Sequence, residues 1–191
     1  MSRVSLVQKD QAPEEIKELF RKIEDNGATV LNLYRAVAHS PHVVRNFIKL
    51  ANSLVGRTAL SPKLRELAVM RIAGLCHSEY EWTQHVPVAL EAGVSREQLE
   101  AIASWEESDS FNGEERAVLQ YVDEVAGNVV VREKTFVTLK QYLSERDIVE
   151  LTLAIGWWGM VARVLVPLEI EMDEQAVGST GDLIGRRAVR E

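Results

Sequence analysis

The sequence predicts an all-α domain of about seven or eight helices, and three observations support this fold class. Apolar residues recur at helical spacing along most of the chain, as at Ile16, Leu19, Phe20 and Ile23. Capping residues precede many of these segments, twice as the pair Ser-Pro. The sequence also lacks the sustained alternation of apolar and polar residues that is typical of a β-strand.

The predicted helical segments follow one another with short breaks. Asn-Gly at 26–27 should stop the first, and Gly56 should lie near the end of the third. VSREQL at 94–99 predicts a capping box with a hydrophobic staple. In chain order, the segments begin at Pro13, residue 29, Ser40, Ser61, Ser78 and Ser95, and then cover NGEERAVLQYVDEVAGN, REKTFVTLKQYL and residues 147–168.

The length of the chain suits one domain with a sizeable core, and 191 residues are sufficient for it. We expect this domain to cover residues 1–172. Helical periodicity is lost in DEQAVGSTGDLIGRRAVRE at the end of the chain. Residues 173–191 are therefore predicted to be an arm that is mobile or contacts another subunit.

Composition excludes several classes of function. The formal net charge is −7 and the sequence has no basic block, so nucleic acid and anionic membranes are poor partners. The longest apolar run, 151–162, is shorter than the ~20 residues that span a bilayer and predicts a buried helix. The chain has one cysteine, Cys76, and no apolar signal-peptide core at its start, which favours a reducing cytoplasm.

The stretch RELAVMRIAGLCHSEYEWTQH, Arg65 to His85, carries the candidate site. Its first helix is apolar nearly all round, so Glu66 should be buried and should need a partner. Ser78 and Glu81 have the spacing of a capping box at the start of the next helix. His85 follows Glu81 by four residues, so the two side chains share a face and can touch. Ser78, Glu81 and His85 therefore form one stripe that starts at the positive end of the helix dipole, where an anionic substrate is favoured. The Glu81–His85 pair has the chemistry for proton transfer.

Each of these residues also has a purely structural interpretation. Glu81 and Ser78 would then serve only as a cap, Glu66 as a buried salt bridge, His85 as a packing residue and Cys76 as an inert buried thiol. Three neighbouring residues are also candidates. The His77 side chain can face a pocket or solvent, and those of Tyr80 and Trp82 can line a pocket or an interface. We predict no metal, since a bare Glu-x-x-x-His pair is a weak metal motif.

The stretch LRELAVMRIAGLCHSEYEWTQHVPVALEAGVS resembles the carboxymuconolactone decarboxylase family, which shares an all-α fold with the alkylhydroperoxidase D-like proteins. The peroxidase branch has a Glu, a Cys-x-x-Cys pair and a His. Glu66 and His85 match the Glu and the His, whereas Ser78 and Glu81 occupy the two cysteine positions. The resemblance implies a homo-oligomer, a trimer or hexamer. It also implies no metal or organic cofactor, and acid–base decarboxylation of a lactone from aromatic catabolism.

Three functions follow as hypotheses. The first is a cofactor-free lyase acting on a small carboxylated, lactone-like substrate, with Glu81 and His85 transferring the proton and Glu66 orienting His85. Ser78, His77, Tyr80 and Trp82 would contact the substrate. The second is a peroxidase that uses Cys76, although dithiol chemistry needs a second cysteine. The third is a non-catalytic member of the fold.

Overall fold

The computed structural model describes residues 1–173. These residues form nine α-helices and two 3-10 turns, Lys9–Gln11 and Ile102–Glu107, and this part of the chain contains no β-strand. The helices are α1 (Glu14–Asp25), α2 (Asn32–Val37), α3 (Pro41–Gly56), α4 (Pro62–Leu75), α5 (Glu79–Glu91), α6 (Arg96–Ala101), α7 (Gly113–Asn128), α8 (Glu133–Leu139) and α9 (Glu145–Leu165).

The all-α prediction is confirmed, with one or two helices more than the seven or eight expected. The additional count comes from short helices: α2 and α6 have six residues each and α8 has seven. Helices of this length bury little apolar surface by themselves. They are stabilised by packing against the longer helices. Each of the three lies within a segment that the sequence predicted, so the segments were found and only the expected total was too low.

Helix α4 is the centre of the core and packs against α5, α7 and α9. Leu67, Met70 and Ile72 are fully buried, and the charged pair Arg65 and Glu66 is buried with them. This burial on nearly every side agrees with the apolar pattern of its sequence. The candidate site residues of α4 therefore lie inside the fold rather than on a solvated face.

Helix α9 is the longest helix and runs beside α4. Its backbone begins with a capping box in which Ser144 and Asp147 bond each other's amides. By length and composition alone it is long and apolar enough to cross a membrane, but more than half of its most apolar window is buried inside the fold. Val149, Leu153 and Met160 form an exposed apolar stripe on its outer side.

The predicted capping box at the start of α6 is present. The Gln98 amide donates to Ser95 Oγ at 3.2 Å, and the Ser95 amide donates to Gln98 Oε1 at 3.1 Å. Val94 and Leu99 are both buried, as a hydrophobic staple requires.

A tight turn joins α4 to α5 and determines which residues of the two helices lie side by side. His77 adopts a left-handed conformation with φ 52°. Its amide donates to Gly74 O at 3.2 Å, and the Ser78 amide donates to Ala73 O at 2.9 Å. These two bonds form a Schellman motif, in which the left-handed position usually holds glycine. The motif reverses the chain so that α5 runs back along α4.

The left-handed backbone at His77 predicts that His77→Gly stabilises the protein. A side chain at this conformation costs about 1–2 kcal/mol, and the greater chain entropy of glycine offsets part of the gain. We expect the free energy of unfolding in urea to rise by about 0.5–1 kcal/mol. Val129 has φ 63° and is exposed at the end of α7, so Val129→Gly is the matched comparison. A loss of stability specific to His77→Gly would mean that the imidazole makes stabilising contacts.

The last described residue, Asp173, belongs to the folded body. It is 8% exposed and accepts hydrogen bonds from the Asn32 amide at 2.8 Å, from Gln84 Nε2 at 3.0 Å and from the Tyr80 hydroxyl. Asp173 thereby connects the end of the described chain to α2 and α5. The rest of the predicted arm, residues 174–191, lies outside the described residues.

Candidate functional site

Three side chains from three helices form a hydrogen-bonded chain at the centre of the candidate site. His85 Nδ1 lies 2.8 Å from Glu66 Oε2, and Trp158 Nε1 donates to His85 Nε2 at 3.0 Å. The indole and imidazole rings meet edge to face, with 5.5 Å between their centroids. Helices α4, α5 and α9 therefore fix both the position and the orientation of the imidazole ring.

These two hydrogen bonds determine the tautomer of the neutral His85 ring. Because an indole N–H can only donate, Nε2 must carry a lone pair, and the proton of the neutral ring must be on Nδ1. That Nδ1–H donates to Glu66. The ring nitrogen with a lone pair is therefore the one that Trp158 occupies, and a substrate needs to displace the indole to reach it.

Glu66 is fully buried and has partners for both carboxylate oxygens. Oε1 accepts from Arg65 Nε at 3.0 Å, and Arg65 Nη1 also donates to Val55 O at 3.0 Å. Burial would raise the pKa of Glu66, but hydrogen bonding and charge from His85 and Arg65 outweigh it and hold the pKa below its ordinary value. Arg65 and Glu66 form a neutral buried ion pair that orients His85.

Glu81 differs from Glu66 because neither of its buried oxygens makes a hydrogen bond of normal geometry. The side chain is 3% exposed, and this burial raises its pKa to about 8, although the nearby Ser78 hydroxyl lowers the value. Glu81 is therefore a neutral carboxylic acid at pH 7. A buried acid with unused hydrogen-bonding capacity is typical of a functional site rather than of a structural contact.

One prediction about this helix start is wrong, and one possible contact is not formed. The capping box at Ser78 is not formed, because the Ser78 side chain caps no amide of α5 and its hydroxyl is buried without a partner of normal geometry. The possible contact of His85 with Glu81 is also not the one present: the ring nitrogens of His85 bond Glu66 and Trp158. The spacing placed these residues on one stripe, but packing against α4 and α9 determined their partners.

Cys76 occupies the C-cap position of α4. The sequence analysis expected a buried thiol, but the structure shows that Cys76 is only half-buried. Burial raises the pKa of its thiol. Arg163 lowers the value, while Glu81 raises it further. Cys76 therefore lies within electrostatic reach of both Glu81 and Arg163. Its thiol is protonated at neutral pH, which makes it a weak nucleophile.

The remaining predicted contact residues lie in different environments. His77 is exposed in the turn, and Trp82 is buried at 5% exposure in the main core. Tyr80 is also buried and donates its hydroxyl proton to Asp173. Burial, followed by the hydrogen bond and charge of Asp173, strongly raises the pKa of Tyr80. Tyr80 therefore supports the fold on the Asp173 side, away from Glu81.

A cleft of about 1040 Å³ lies on the opposite face of α5 from Glu81 and His85. The side chains lining it include Tyr34, Arg35, Thr83, Gln84 and Asp173. The Glu66, Glu81 and His85 side chains do not line this cleft. Within residues 1–173, no group of three or more His, Cys, Asp or Glu side chains is arranged to hold a metal ion.

Sequence reasoning missed Trp158 and Arg163 as parts of the site. A buried tryptophan usually finds an acceptor for its N–H, so a partner for Trp158 was expected in general. The identity of that acceptor depends on how α9 packs on α5, which no local pattern encodes. Arg163 follows Trp158 by five residues and gives no signal by itself in the sequence.

One family model and one curated relative each match part of this chain. The model of the carboxymuconolactone decarboxylase family matches residues 41–124, which include α4, α5 and the three residues Glu66, Glu81 and His85. The uncharacterized protein YnjA of Escherichia coli (strain K12) is 29% identical over 115 residues. The aligned region is 60% of this chain and 63% of YnjA, less than two thirds of that protein.

Solved structures share the fold at low sequence identity. A cysteine-to-alanine variant of the debrominase Bmp8, in complex with 2,3,4-tribromopyrrole, has a TM-score of 0.77 at 19% identity and covers 96% of this chain and 100% of its own. An uncharacterized peroxidase-related protein from Ralstonia eutropha JMP134, with an alkylhydroperoxidase AhpD core, has a TM-score of 0.79 at 18% identity over 92% of this chain and 94% of its own. Identities this low establish the alkylhydroperoxidase D-like fold only.

Proposed function

We propose that this chain, whose residues 41–124 match the carboxymuconolactone decarboxylase family, is a cofactor-free acid–base lyase. Its substrate would be a small carboxylated, lactone-like molecule. The observation that carries the proposal is Glu81: a buried carboxyl group with a pKa of about 8 and no hydrogen-bond partner of normal geometry. Such a group holds a proton at neutral pH and can deliver it to a carbon centre.

In the proposed reaction, the bond between the substrate carbon and its carboxylate breaks and CO₂ leaves. The electron pair moves into the conjugated lactone, and the Glu81 carboxyl group donates a proton to the carbon that carries the negative charge. The resulting Glu81 carboxylate then takes a proton from water. The burial that raises its pKa favours this return, so the acid is restored for the next turnover.

His85 would act as the complementary base in this return step: its Nε2 takes a proton from water and passes it to the Glu81 carboxylate, and hydroxide is left in the solvent. The Nε2 lone pair is the reactive position, because Nδ1–H is committed to Glu66 at 2.8 Å. Substrate binding would displace Trp158 Nε1–H from Nε2, so the base becomes available only in the complex. The buried pair of Arg65 and Glu66 supports this role by fixing the tautomer and balancing charge if the ring takes up a proton.

The partners proposed for the chain are this carboxylated small molecule and further copies of itself. The exposed apolar stripe Val149, Leu153 and Met160 on α9 supports self-association into a trimer or hexamer. We also propose a cytoplasmic location, which is consistent with a single cysteine and an acidic composition.

A redox function through Cys76 is the alternative, and the shared fold with peroxidase-related proteins favours considering it. The protonated state of this thiol weighs against it, because a peroxidatic cysteine reacts as the thiolate. A purely structural function is weakened by Glu81, since a structural carboxylate would be expected to use its oxygens in hydrogen bonds.

A parallel turnover assay tests the proposed function. Wild type, Glu81→Gln, His85→Ala and Cys76→Ser would each receive a carboxymuconolactone and, separately, an organic peroxide with a thiol reductant. We expect lactone turnover to be lost in the first two variants, retained in Cys76→Ser, and to fall in the wild type above about pH 8, where Glu81 loses its proton. Glu79→Gln is the matched control, because Glu79 is an exposed acid in the same helical turn.

The other outcomes of this assay are equally informative. Lactone turnover that survives in both Glu81→Gln and His85→Ala would contradict the acid–base assignment. Peroxide turnover that is lost only in Cys76→Ser would establish the redox alternative.

A further inference from the structure

We propose that the N-terminal end of α5, together with Arg163, is a subsite for an anionic group that the substrate retains through the reaction. This inference rests on the proposed function for the identity of the substrate, and it deepens that proposal by assigning recognition to named residues. The occupant would be a carboxylate on a small molecule whose reacting carbon lies beside Glu81.

The first observation is the uncapped start of α5. The Ser78 side chain makes no capping hydrogen bond, and the first backbone bond of the helix runs from the Trp82 amide to Ser78 O at 3.0 Å. The amides of residues 79–81 therefore have no intrahelical acceptor. A helix of 13 residues also presents the positive end of its dipole here, which favours an anion.

The second observation is that buried polar side chains at this helix end have no partner of normal geometry. Ser78 is 2% exposed, and neither its hydroxyl nor the two oxygens of Glu81, one turn further along α5, make a hydrogen bond of normal geometry. The two side chains are near enough for the Ser78 hydroxyl to lower the pKa of Glu81. Because Glu81 is neutral at pH 7, it does not repel an anion and can donate a hydrogen bond to it. Unused donors in a buried position favour a ligand that accepts hydrogen bonds.

The third observation is the position of Arg163. Within the described residues its guanidinium has no carboxylate partner, and its hydrogen bond runs from Nη1 to Gly159 O of its own helix at 2.6 Å. A β-carbon at position 159 would lie only 3.2 Å from Nη1, so glycine leaves the room for this fold-back.

The path of α9 gives the position of Arg163. Glu150 accepts from the Leu60 amide at 2.9 Å, just before α4, and Trp158 donates to His85 at 3.0 Å. Helix α9 therefore runs in the direction of α4. Arg163, five residues after Trp158, lies towards Cys76 and the start of α5, in agreement with its electrostatic effect on the Cys76 thiol.

These groups lie in a fixed order along the site. His85 follows Glu81 by one helical turn of about 5.4 Å, and Ser78 precedes Glu81 by nearly one turn. An anion held at Ser78 and Arg163 therefore leaves the rest of a small molecule beside Glu81, with His85 beyond it. The other acid of this first turn, Glu79, is exposed to solvent. Arg163 is thus proposed as a specificity residue rather than a proton-transfer residue.

Calorimetric titration with two probes of similar shape tests the subsite in the full chain. The probes are succinate and its neutral diamide, succinamide, and the proteins are wild type, Arg163→Gln and Arg96→Gln. Arg96 is an exposed arginine in the first turn of α6, so its variant carries the same charge change elsewhere. We expect wild type and Arg96→Gln to prefer succinate, and Arg163→Gln to bind it about tenfold more weakly, as the loss of a charge-assisted hydrogen bond predicts.

Alkylation of Cys76, the single cysteine, locates the bound anion. Iodoacetate and iodoacetamide form the same thioether bond, iodide leaves, and the thiol proton passes to solvent. The ratio of their rates reports how the local charge acts on an anionic reagent, because a change in thiol pKa affects both reagents equally. We expect this ratio to fall at least threefold in Arg163→Gln, and succinate to slow both reactions in wild type.

Equal succinate affinity in wild type and Arg163→Gln, or no preference for succinate over succinamide in wild type, would overturn the subsite. A failure of the proposed function alone would look different: succinate binding would depend on Arg163, but the protein would not turn over the lactone. If the lactone is turned over, Arg163→Gln should raise KM more than it lowers kcat.

Discussion

Glu66→Ala should cost about 3–5 kcal/mol of unfolding free energy, because it removes the charge that compensates a buried arginine. Arg65 is 6% exposed and would keep its guanidinium inside the core, with only Val55 O as a hydrogen-bond acceptor among the partners named above. His85 Nδ1–H would lose its acceptor as well. Urea denaturation monitored by circular dichroism measures the loss.

Two further variants separate charge from shape at this position. Glu66→Gln retains an acceptor oxygen for His85 but removes the charge, so we expect a smaller loss of about 1–3 kcal/mol. The double variant Arg65→Met with Glu66→Leu should be more stable than Glu66→Leu alone, since it leaves no unpaired charge in the core. A double variant that is less stable than the single one would show that the ion pair itself stabilises the fold.

Glu18→Ala is the control for this series. Glu18 pairs with Lys22 at 2.7 Å on the solvent face of α1, where both side chains are more than half exposed. Exposed pairs of this kind contribute at most about 1 kcal/mol, because water already solvates both charges. A loss of 3 kcal/mol or more in Glu18→Ala would mean that the large effect at Glu66 is not due to burial.

The sequence predicted local features well where the interacting residues are near neighbours in the chain. The capping box of Ser95 and Gln98 formed as expected, because all of its atoms belong to four consecutive residues. Ser78 and Glu81 have the same spacing but follow a Schellman turn, and Ser78 adopts φ −89° and ψ 89° without capping α5. Identical spacing therefore gave opposite results, because the preceding turn and the packing of α5 differ.

Contacts between helices were predictable only where the chain path constrains them. Glu66 lies ten residues before the turn at residues 76–78 and His85 lies seven residues after it, so an antiparallel pair of helices brings them to neighbouring levels. The contact of Trp158 with His85 spans 73 residues and depends on how α9 packs against α5. The neutral state of Glu81 also depends on this packing, because the sequence shows an acid but not its burial.

Because the pKa of Glu81 is raised, we expect the free energy of unfolding to depend on pH, and we expect Glu81→Gln to abolish this dependence. The folded-state pKa is raised to about 8 from an ordinary value of 4.5, so the folded protein binds this proton more tightly than the unfolded chain does. The stability contributed by the protonated carboxyl is fully present below about pH 4.5 and is lost as pH rises to about 8. Above that, the folded protein carries a buried carboxylate without a compensating charge.

The raised pKa of Glu81 gives the expected difference in the free energy of unfolding between wild type and Glu81→Gln. Glutamine has nearly the same shape and stays neutral, so the variant should gain on the wild type as pH rises from about 5 to about 9. At 1.36 kcal/mol per pH unit, the relative gain approaches about 4 kcal/mol. Urea denaturation at pH 5, 6, 7, 8 and 9 measures it, with Glu79→Gln as the control that should follow the wild-type curve.

The shape of these two curves decides between the catalytic and the structural interpretation of Glu81. A gain that begins near pH 5 and levels off near pH 8 means that the carboxyl holds its proton at neutral pH, as a general acid requires. Parallel curves would mean that Glu81 ionises normally, through water or a partner that compensates its charge. The proton for the substrate carbon would then need another source, and the acid role could not be assigned to Glu81.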